Sequence, residues 1–265
     1  MPRTIERSPI ETHRFVDPRA SLGAWQAWGA EMRTACGVIR GAVVNHHILA
    51  LDLLGRLFSR LAFCRPDIKH VIILSPDHFA RGKQMISTHD RAYVVAGRTT
   101  ESFHSTIQAA TSSYAFVFEQ PELFEQEHGV GALIPFVQRA WPNADVASFA
   151  IRSDLSRTNA EQFVAFLKTS LSQDTLLIVS SDMSHYLSQD QALHNDELSR
   201  NALRKNDREF FWRATDDYTD NGKSFWLALK AFGAVSWQEQ DHRLSTDYDG
   251  SRTNTTSYIT GWWKE

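Results

Sequence analysis

Cysteine is scarce in this sequence of 265 residues. The two cysteines, Cys36 and Cys64, lie far apart, and neither has a second cysteine at the spacing of a metal-binding pair. A disulfide framework needs several cysteines, and a Cys-rich zinc site needs closely spaced thiolates. The sequence therefore predicts neither, and it favours a protein of the reducing cytoplasm.

Long apolar runs and an excess of one charge are also missing. The longest apolar stretches, such as residues 48–54, are interrupted by charges well short of the about 20 residues that a membrane-spanning helix needs. Residues 1–9 lack the apolar segment of an export signal. The 28 Lys and Arg nearly balance the 31 Asp and Glu, for a net charge of −3. We therefore expect neither a nucleic acid nor a membrane as a partner.

The hydrophobic residues, 42% of the chain, recur in four runs of strand length that are separated by helical patterns. These runs are residues 37–44, 70–75, 145–151 and 175–180. Because they are apolar on both faces, they are typical of strands buried in a mostly parallel sheet. No repeat and no flexible linker divides the chain. We predict a single α/β domain over residues 1–265, with helices flanking the sheet and residues 1–36 as an N-terminal extension.

Helical signals lie between the apolar runs. Residues 133–141 place apolar side chains on one face at 3.6-residue spacing. Capping boxes at Thr158 and Glu161, and at Ser188 and Gln191, predict the starts of two further helices.

Another helix is predicted over residues 48–63, which are apolar apart from one polar stripe at every fourth position. The stripe consists of Asp52, Arg56 and Arg60. Residues 81–126 are less periodic, and residues 241–256 form a polar run too long for a simple turn. We expect long loops in both regions, either functional loops or mobile surface excursions.

Three of the four predicted strands are followed by histidine. His46 and His47 follow the first strand, His78 the second and His185 the fourth. Because the carboxyl ends of parallel strands meet at one edge of a sheet, we expect these side chains to converge there. Imidazole suits iron, copper, zinc and nickel, and a site with two histidines and one carboxylate leaves positions open for substrate and dioxygen. A metal site is one interpretation, and a structural histidine in each turn is the other.

Polar groups near these histidines are candidate catalytic residues. The nearby carboxylates are Asp77, Glu127 and Asp182. Asp182 lies three residues before His185, so on a helical turn it could orient the imidazole, or the pair could act as acid and base. Glu127 and His128 precede a predicted helix, where an ordinary acidic helix start is the alternative.

Two other residue types in these segments have lesser predicted roles. His47 is adjacent to His46, so both rings cannot easily enter one pocket, and we assign His47 a structural or supporting role. A serine nucleophile at Ser181 or Ser184 is disfavoured, because no Gly-x-Ser-x-Gly elbow surrounds them.

Five short motifs, in sequence order, resemble those of a known family. They are Val44-Asn45-His46-His47, Leu74-Ser75-Pro76-Asp77-His78, Glu127-His128 ahead of Leu133-Ile134-Pro135-Phe136, Ser180-Ser181-Asp182-Met183-Ser184-His185, and Ser257-Tyr258-Ile259-Thr260-Gly261. In these motifs the sequence resembles the Memo family, whose bacterial and archaeal members are called AmmeMemoRadiSam system protein B. The resemblance extends over residues 38–262 and is loose over residues 81–126 and 206–236.

The resemblance implies a fold similar to class III extradiol dioxygenases, whose nonheme iron opens catechol rings. It implies a metal pocket around His46, His78 and His185, with Asp182 beside them. The metal that it implies is a divalent ion, iron before copper, with a redox role.

The sequence departs from the family pattern at two places. Some members use a Cys before the last strand as a ligand, whereas residues 243–256 contain no Cys, and Tyr248 or Asp249 falls near that place. Residues 129–131 read Gly-Val-Gly where many members carry a Ser and a second Glu.

Two functions remain open at this point. The first is a cytoplasmic, metal-binding redox enzyme or dioxygenase-like protein that acts on a small molecule, alongside a radical-SAM protein of the same system. In this reading His46, His78 and His185 are metal ligands, and Asp182, His185, Glu127 and His128 are the catalytic candidates. The second is a noncatalytic module that binds a peptide or small ligand in the same pocket, which the missing Cys favours.

Overall fold

An eight-stranded sheet forms the centre of the protein in the computed structural model, which describes residues 8–12, 25, 36–250 and 253–265. The four apolar runs of the sequence form the strands Ile39–Val44 (β2), His70–Pro76 (β3), Asp145–Ile151 (β8) and Thr175–Ser180 (β9). These strands lie side by side in the order β2-β9-β3-β8, and all are parallel. The predicted α/β fold with a mostly parallel sheet is confirmed.

Four further strands extend the sheet on both sides. Ser236–Leu244 (β10) and Ser257–Lys264 (β11) form an antiparallel pair, and β11 runs antiparallel to β2. Beyond β8 lie Ile86–Thr88 (β4), antiparallel to β8, and Val117–Glu119 (β7), parallel to β4. The full order is β10-β11-β2-β9-β3-β8-β4-β7.

A second sheet contains three short strands, Ile10–Glu11 (β1), Tyr93–Val95 (β5) and Arg98–Thr100 (β6). β1 pairs in parallel with β5, so two residues of the predicted N-terminal extension contact the main body. Most of residues 1–36 lies outside the described residues, and the boundary of the extension stays a prediction.

Helices connect most of these strands. Those of the described residues are Leu51–Cys64 (α1), His104–Ser113 (α2), Pro121–Phe124 (α3), His128–Gly131 (α4), Ile134–Ala140 (α5), Arg157–Ser170 (α6), Gln189–Lys205 (α7), Arg208–Arg213 (α8), Gly222–Phe232 (α9) and Thr246–Asp249 (α10). A 3-10 turn over Ile48–Ala50 precedes α1. The helices predicted over residues 48–63 and 133–141 are confirmed. No helix in the described part of the chain combines the length and apolarity needed to cross a membrane.

The hydrophobic core covers both faces of the sheet. Ile72 and Leu74 of β3 belong to the cluster that includes α6 and α9, whereas Val71 and Ile73 belong to the cluster that includes α1 and α5. Successive side chains of a strand point to opposite faces, so helices pack on both faces. The edge at the carboxyl ends of the strands is then the place for a polar site.

The helix caps confirm one prediction and correct another. Ser188 and Gln191 form a reciprocal capping box at the start of α7, as predicted. The box predicted at Thr158 and Glu161 is wrong, because α6 begins earlier and both residues lie inside it. Its N-cap is Ser156, whose hydroxyl accepts a hydrogen bond from a backbone N–H of the first turn.

The two predicted loop regions contain regular structure. Residues 81–126 include β4 to β7 together with α2 and α3, and residues 241–244 complete β10. Short strands and an edge strand that is only half buried lack the apolar runs that mark the central strands. The polar stripe of α1 is also narrower than predicted, because Arg60 is buried beside the ring of Trp262.

A disulfide bond joins Cys36 and Cys64, which corrects the expectation that the two cysteines form none. Cys36 precedes β2, and Cys64 is the last residue of α1, which packs against β2. The fold thus brings together two cysteines that are 28 positions apart in the sequence. Because disulfides persist mainly in oxidising environments, the cysteine count no longer favours a reducing cytoplasm.

Candidate metal centre

Predicted site histidines meet at the carboxyl edge of the sheet. His46 follows β2, His78 follows β3, and His185 lies in the loop after β9, which is the strand between these two. The Nε2 atoms of His46 and His78 are 3.1 Å apart. His46 is almost fully buried and His78 is half-buried, so the histidines of these two strand ends form a recessed pair.

The Nδ1 atom of His46 donates a hydrogen bond to Ser180. These atoms are 3.0 Å apart, and the Ser180 hydroxyl uses its own hydrogen on the carbonyl of Gly129. The hydroxyl oxygen can therefore only accept from His46. A neutral His46 ring then has its proton on Nδ1 and an unshared electron pair on Nε2.

Glu127 fixes His78 in the same way. Its Oε1 lies 2.6 Å from Nδ1 of His78 and accepts the Gly129 N–H at 2.8 Å, while its Oε2 accepts the His78 N–H at 3.2 Å. The hydrogen bond from His78 holds the pKa of the buried Glu127 below its usual range, although burial alone would raise it. Glu127 therefore sits behind the His78 ring, the position of a carboxylate that orients a metal-binding histidine.

If both rings were neutral, the electron pairs of their Nε2 atoms would face each other across 3.1 Å. This arrangement is repulsive unless a cation, either a proton or a metal ion, lies beside the two nitrogens. The hydrogen bonds on the two Nδ1 atoms direct both Nε2 atoms toward such a cation.

His128 joins this pair. The ligand atoms of His46, His78 and His128 all lie within 4.8 Å of one another, so this triad could hold a metal ion. The His128 ring stacks on His78 with centroids 3.9 Å apart, and 38% of its side chain is exposed. Burial, followed by the charges of His46 and His78, lowers the pKa of His128 to about 4.

Asp220 supplies a carboxylate to the same place. Its Oδ2 lies 3.2 Å from Nε2 of His46, 3.4 Å from Nε2 of His78 and 3.8 Å from Nε2 of His185. Its other oxygen, Oδ1, accepts a hydrogen bond from the Ser181 hydroxyl at 2.8 Å. His185 therefore reaches the His46–His78 pair through Asp220.

The carboxylates control the charge of this cluster. Burial opposes protonation of His46, but Asp182 and Asp220 outweigh it and raise its pKa. Burial also opposes protonation of His78, yet hydrogen bonds to Asp220 and Glu127 raise its pKa to about 10. In turn the imidazoles hold the pKa of Asp220 far below its usual range, against the effect of burial. The cluster thus attracts positive charge.

The structure corrects the predicted link from Asp182 to His185. Residues 181–188 are not helical, so the three-residue spacing does not bring these two side chains together on one turn. Asp182 Oδ1 instead accepts the backbone N–H of His46 at 3.0 Å, and Nδ1 of His185 is buried without a hydrogen-bond partner among the described residues. Asp182 therefore holds the His46 turn and does not orient His185.

Other residues singled out in the sequence have structural partners. His47 pairs with the Tyr258 hydroxyl at 2.7 Å, in line with a supporting role. The Tyr248 hydroxyl donates to Asp52 at 2.8 Å, so Tyr248 does not take the place of the missing Cys ligand. Asp249 is not part of the triad of described residues that could hold a metal ion.

The candidate serines and Asp77 also have local roles. The Ser181 hydroxyl contacts Asp220, and the Ser184 hydroxyl donates to the buried Asp196 at 2.8 Å, so neither is arranged as a nucleophile beside a histidine. Asp77 accepts the backbone N–H groups of Arg81 and Gly82 and thereby closes its own loop.

Gly129 explains one departure from the family pattern. A Cβ atom at this position would lie 2.3 Å from Ser75 Oγ, 3.1 Å from Glu127 Oε1 and 3.2 Å from Cε1 of His78. A serine there would collide with the buried groups that hold His78. A side chain at position 129 would therefore require Ser75 and the groups behind this histidine to shift.

Sequence reasoning missed Asp220. The residue lies in an acidic stretch, residues 216–220, far from the strand-end motifs and without a predicted strand before it. It reaches the site because Asn221 donates hydrogen bonds to the carbonyl groups of Leu74 and Ser180, in β3 and β9. The available signal in the sequence was the acidic stretch itself, which contains three aspartates within five residues.

Comparison with protein families matches residues 46–262 to the family described as Memo-like protein. The chain belongs to the Memo-like family. A MEMO1 family protein of Pyrobaculum aerophilum is 23% identical over 211 residues, 76% of this chain and 74% of the relative. A MEMO1 family protein of Aquifex aeolicus is 26% identical over 247 residues, 86% of this chain and 90% of the relative. An uncharacterized protein of Escherichia coli K12 with a solved structure has a TM-score of 0.49 and 10% identity, covering 77% of this chain and 91% of that chain.

The Memo-like region begins at His46 and includes every histidine of the cluster. Three properties of these residues fit a metal ion: two facing Nε2 atoms whose rings keep their other proton on Nδ1, a third imidazole within ligand distance, and a buried carboxylate oxygen, Asp220 Oδ2, that faces these nitrogens. Imidazole and carboxylate are ligands of divalent iron, zinc and copper.

Proposed function

We propose that this Memo-like protein binds one divalent metal ion, with iron preferred, and uses it as a nonheme redox or dioxygenase-like enzyme on a small molecule. His46 and His78 would hold the metal, with His185 completing the predicted set. The observation that carries this proposal is the 3.1 Å distance between the Nε2 atoms of His46 and His78. The Nδ1 atom of each ring donates its hydrogen to an acceptor on the other side. A bound iron ion would supply coordination positions for dioxygen and substrate.

The other residues of the site would serve the reaction as follows. Glu127 and Ser180 keep the protons of the two histidine ligands on Nδ1. His128 is the most exposed ring of the cluster, and its lowered pKa of about 4 leaves it neutral at neutral pH. The neutral ring can accept a hydrogen bond from a substrate hydroxyl, but its low pKa makes it a weak base for complete proton transfer. The exposed rings of Phe79 and Tyr186 lie beside those of His78 and His185, with centroids 6.4 and 5.6 Å apart.

The test is the metal content of protein purified without chelator, followed by anaerobic titration with Fe²⁺. We expect binding of about one equivalent, as for a single preformed site. His46→Ala and His78→Ala should abolish stoichiometric binding. His104→Ala is the matched control, because His104 pairs with a carboxylate, Asp90, on another part of the surface.

The absence of metal in both measurements, or unchanged binding by His46→Ala, would contradict the proposal. The alternative function, a noncatalytic module for a peptide or small ligand, predicts that ligand affinity survives EDTA. A partnership with a radical-SAM protein belongs to the same proposal, and co-purification of the two proteins tests it.

A further inference from the structure

We propose that Asp220 is the carboxylate ligand of the metal centre, which makes it a sulfur-free imidazole–carboxylate site selective for Fe²⁺ and similar divalent ions over Cu⁺. This inference rests on the proposed function of the histidine cluster as a metal centre. It adds a ligand from a part of the chain that lies outside the five sequence motifs.

The two oxygens of Asp220 have different surroundings. Oδ1 accepts a hydrogen bond from Ser181, whereas Oδ2 faces the histidine cluster, 3.2 Å from Nε2 of His46 and 3.4 Å from Nε2 of His78. The side chain is only 9% exposed. A buried carboxylate is costly unless a positive charge balances it, either a protonated imidazole or a metal ion. Oδ2 is therefore held toward the cluster for a cation.

The position of Oδ2 fits a divalent metal ion as that cation. It lies within 3.2 to 3.8 Å of the Nε2 atoms of three histidines, His46, His78 and His185. Of these three rings, Asp182 contacts that of His46 and Glu127 contacts that of His78. Three imidazole nitrogens around one carboxylate oxygen form a donor set that a divalent metal can bind.

The backbone holds Asp220 firmly at this place. The Asp220 N–H donates to the carbonyl of Asp182 at 3.3 Å. The side chain of the next residue, Asn221, donates to the carbonyls of Leu74 and Ser180 at 3.2 and 2.9 Å. These bonds attach the Asp220 segment to the strands that carry the histidines, as a rigid ligand requires.

Asp182 is the competing carboxylate. Its Oδ1 is engaged by the backbone N–H of His46, and its Oδ2 lies 3.8 Å from Nε2 of His46, farther than Asp220 Oδ2 at 3.2 Å. Asp182 is thus a positioning residue for the His46 turn, and Asp220 is the better placed ligand.

The chemistry of the donors sets the metal class. Thiolate and thioether ligands select Cu⁺, whereas imidazole and carboxylate ligands suit Fe²⁺, Mn²⁺ and Zn²⁺. Both cysteines of this chain are in the disulfide, so neither offers a thiolate to the site. A carboxylate in place of a thiolate therefore moves the preference of the centre away from Cu⁺.

The experiment compares anaerobic Fe²⁺ and Cu⁺ affinities of the full chain with those of Asp220→Asn, Asp220→Cys and Asp220→Glu. We expect Asp220→Asn to weaken Fe²⁺ binding by more than about 100-fold, beyond the range of changes to groups behind the ligands. Asp220→Cys should shift the Cu⁺ to Fe²⁺ affinity ratio upward by more than about tenfold. With Co²⁺, it should also add a thiolate-to-metal absorption band.

Asp217→Asn, an exposed carboxylate of the same segment, is the matched control and should bind Fe²⁺ as the parent does. Asp220→Glu keeps the charge, so it provides a folded comparison if Asp220→Asn fails to fold, and it should retain measurable Fe²⁺ binding. Parent protein that binds Fe²⁺ together with an Asp220→Asn variant of equal affinity would overturn this inference, because Asp220 would then be only a counter-ion of protonated histidines. Parent protein that binds no metal would overturn the proposed function instead.

Discussion

Protons and a metal ion compete for the Nε2 atoms of His46 and His78. Hydrogen bonds to carboxylates outweigh burial and raise the pKa of His78 to about 10. Metal binding must therefore displace a proton from this ring at every pH below that value, and displacement becomes harder as the pH falls. We expect the Fe²⁺ affinity to fall by well over tenfold between about pH 7.5 and 5.5, since each displaced proton contributes about tenfold per pH unit.

Titration against a chromophoric chelator at each pH measures this affinity. In a variant that carries both His46→Ala and His78→Ala, most of the pH dependence should disappear, and a flat profile in the parent protein would contradict imidazole ligation.

The metal-free protein should show the opposite trend in stability. Because folding raises the pKa of His78, its contribution is present below the unfolded pKa near 6.5 and is lost as the pH rises through about 10.

The sequence located the histidines of the site but not the groups that act on them. His46 and His78 could be predicted because each follows a long apolar run that can only be a buried strand. Asp220 could not, because its place depends on hydrogen bonds from Asn221 to two strands that are distant in sequence. The predicted contact between Asp182 and His185 assumed a helical turn, whereas the chain is irregular there.

At the scale of secondary structure, the start of α6 offers a direct test of a helix cap. Ser156 accepts a hydrogen bond from the Asn159 N–H, whereas Thr158 lies within the first turn of the helix. We expect Ser156→Ala to lower the free energy of unfolding by about 1 kcal/mol, the usual effect of losing an N-cap hydroxyl. Chemical denaturation measures the change.

Thr158→Ala is the matched control for this prediction. Alanine has a higher helix propensity than threonine, so this variant should be as stable as the parent or slightly more stable. A larger loss of stability in Thr158→Ala than in Ser156→Ala would place the cap where the sequence pattern suggested it.

Burial on both faces explains which elements could be predicted. The strand Asp145–Ile151 has the predicted bounds because its side chains are apolar on both faces. Strands of three residues, such as Ile86–Thr88, are too short to show a period, and the edge strand Ser236–Leu244 keeps polar groups on its half-buried surface. Such elements are defined by their neighbours in the sheet, which the local sequence does not contain.

At the scale of the whole molecule, the disulfide and the histidine cluster lie at opposite ends of β2. Cys36 precedes the strand and His46 follows it. A variant that carries both Cys36→Ser and Cys64→Ser should lose about 3 to 4 kcal/mol of unfolding free energy, from the chain entropy of the 28-residue loop. Its Fe²⁺ affinity should equal that of the parent.

Denaturant unfolding of this variant and of the reduced parent measures the effect, and the oxidised parent is the control. Equal stability of all three would show that the crosslink does not constrain the unfolded chain. A loss of Fe²⁺ affinity on reduction would show that the two ends of β2 are coupled.

The hydrogen bonds of His46 also bear on the order in which the protein folds. Its partners Ser180 and Asp182 are 134 and 136 positions away along the chain. Contacts between residues so far apart in the sequence form late, because the long loop that separates the two residues must close first. We therefore expect the cluster to form only after residues 180–182 have joined the central sheet, so that a metal ion would bind late in folding.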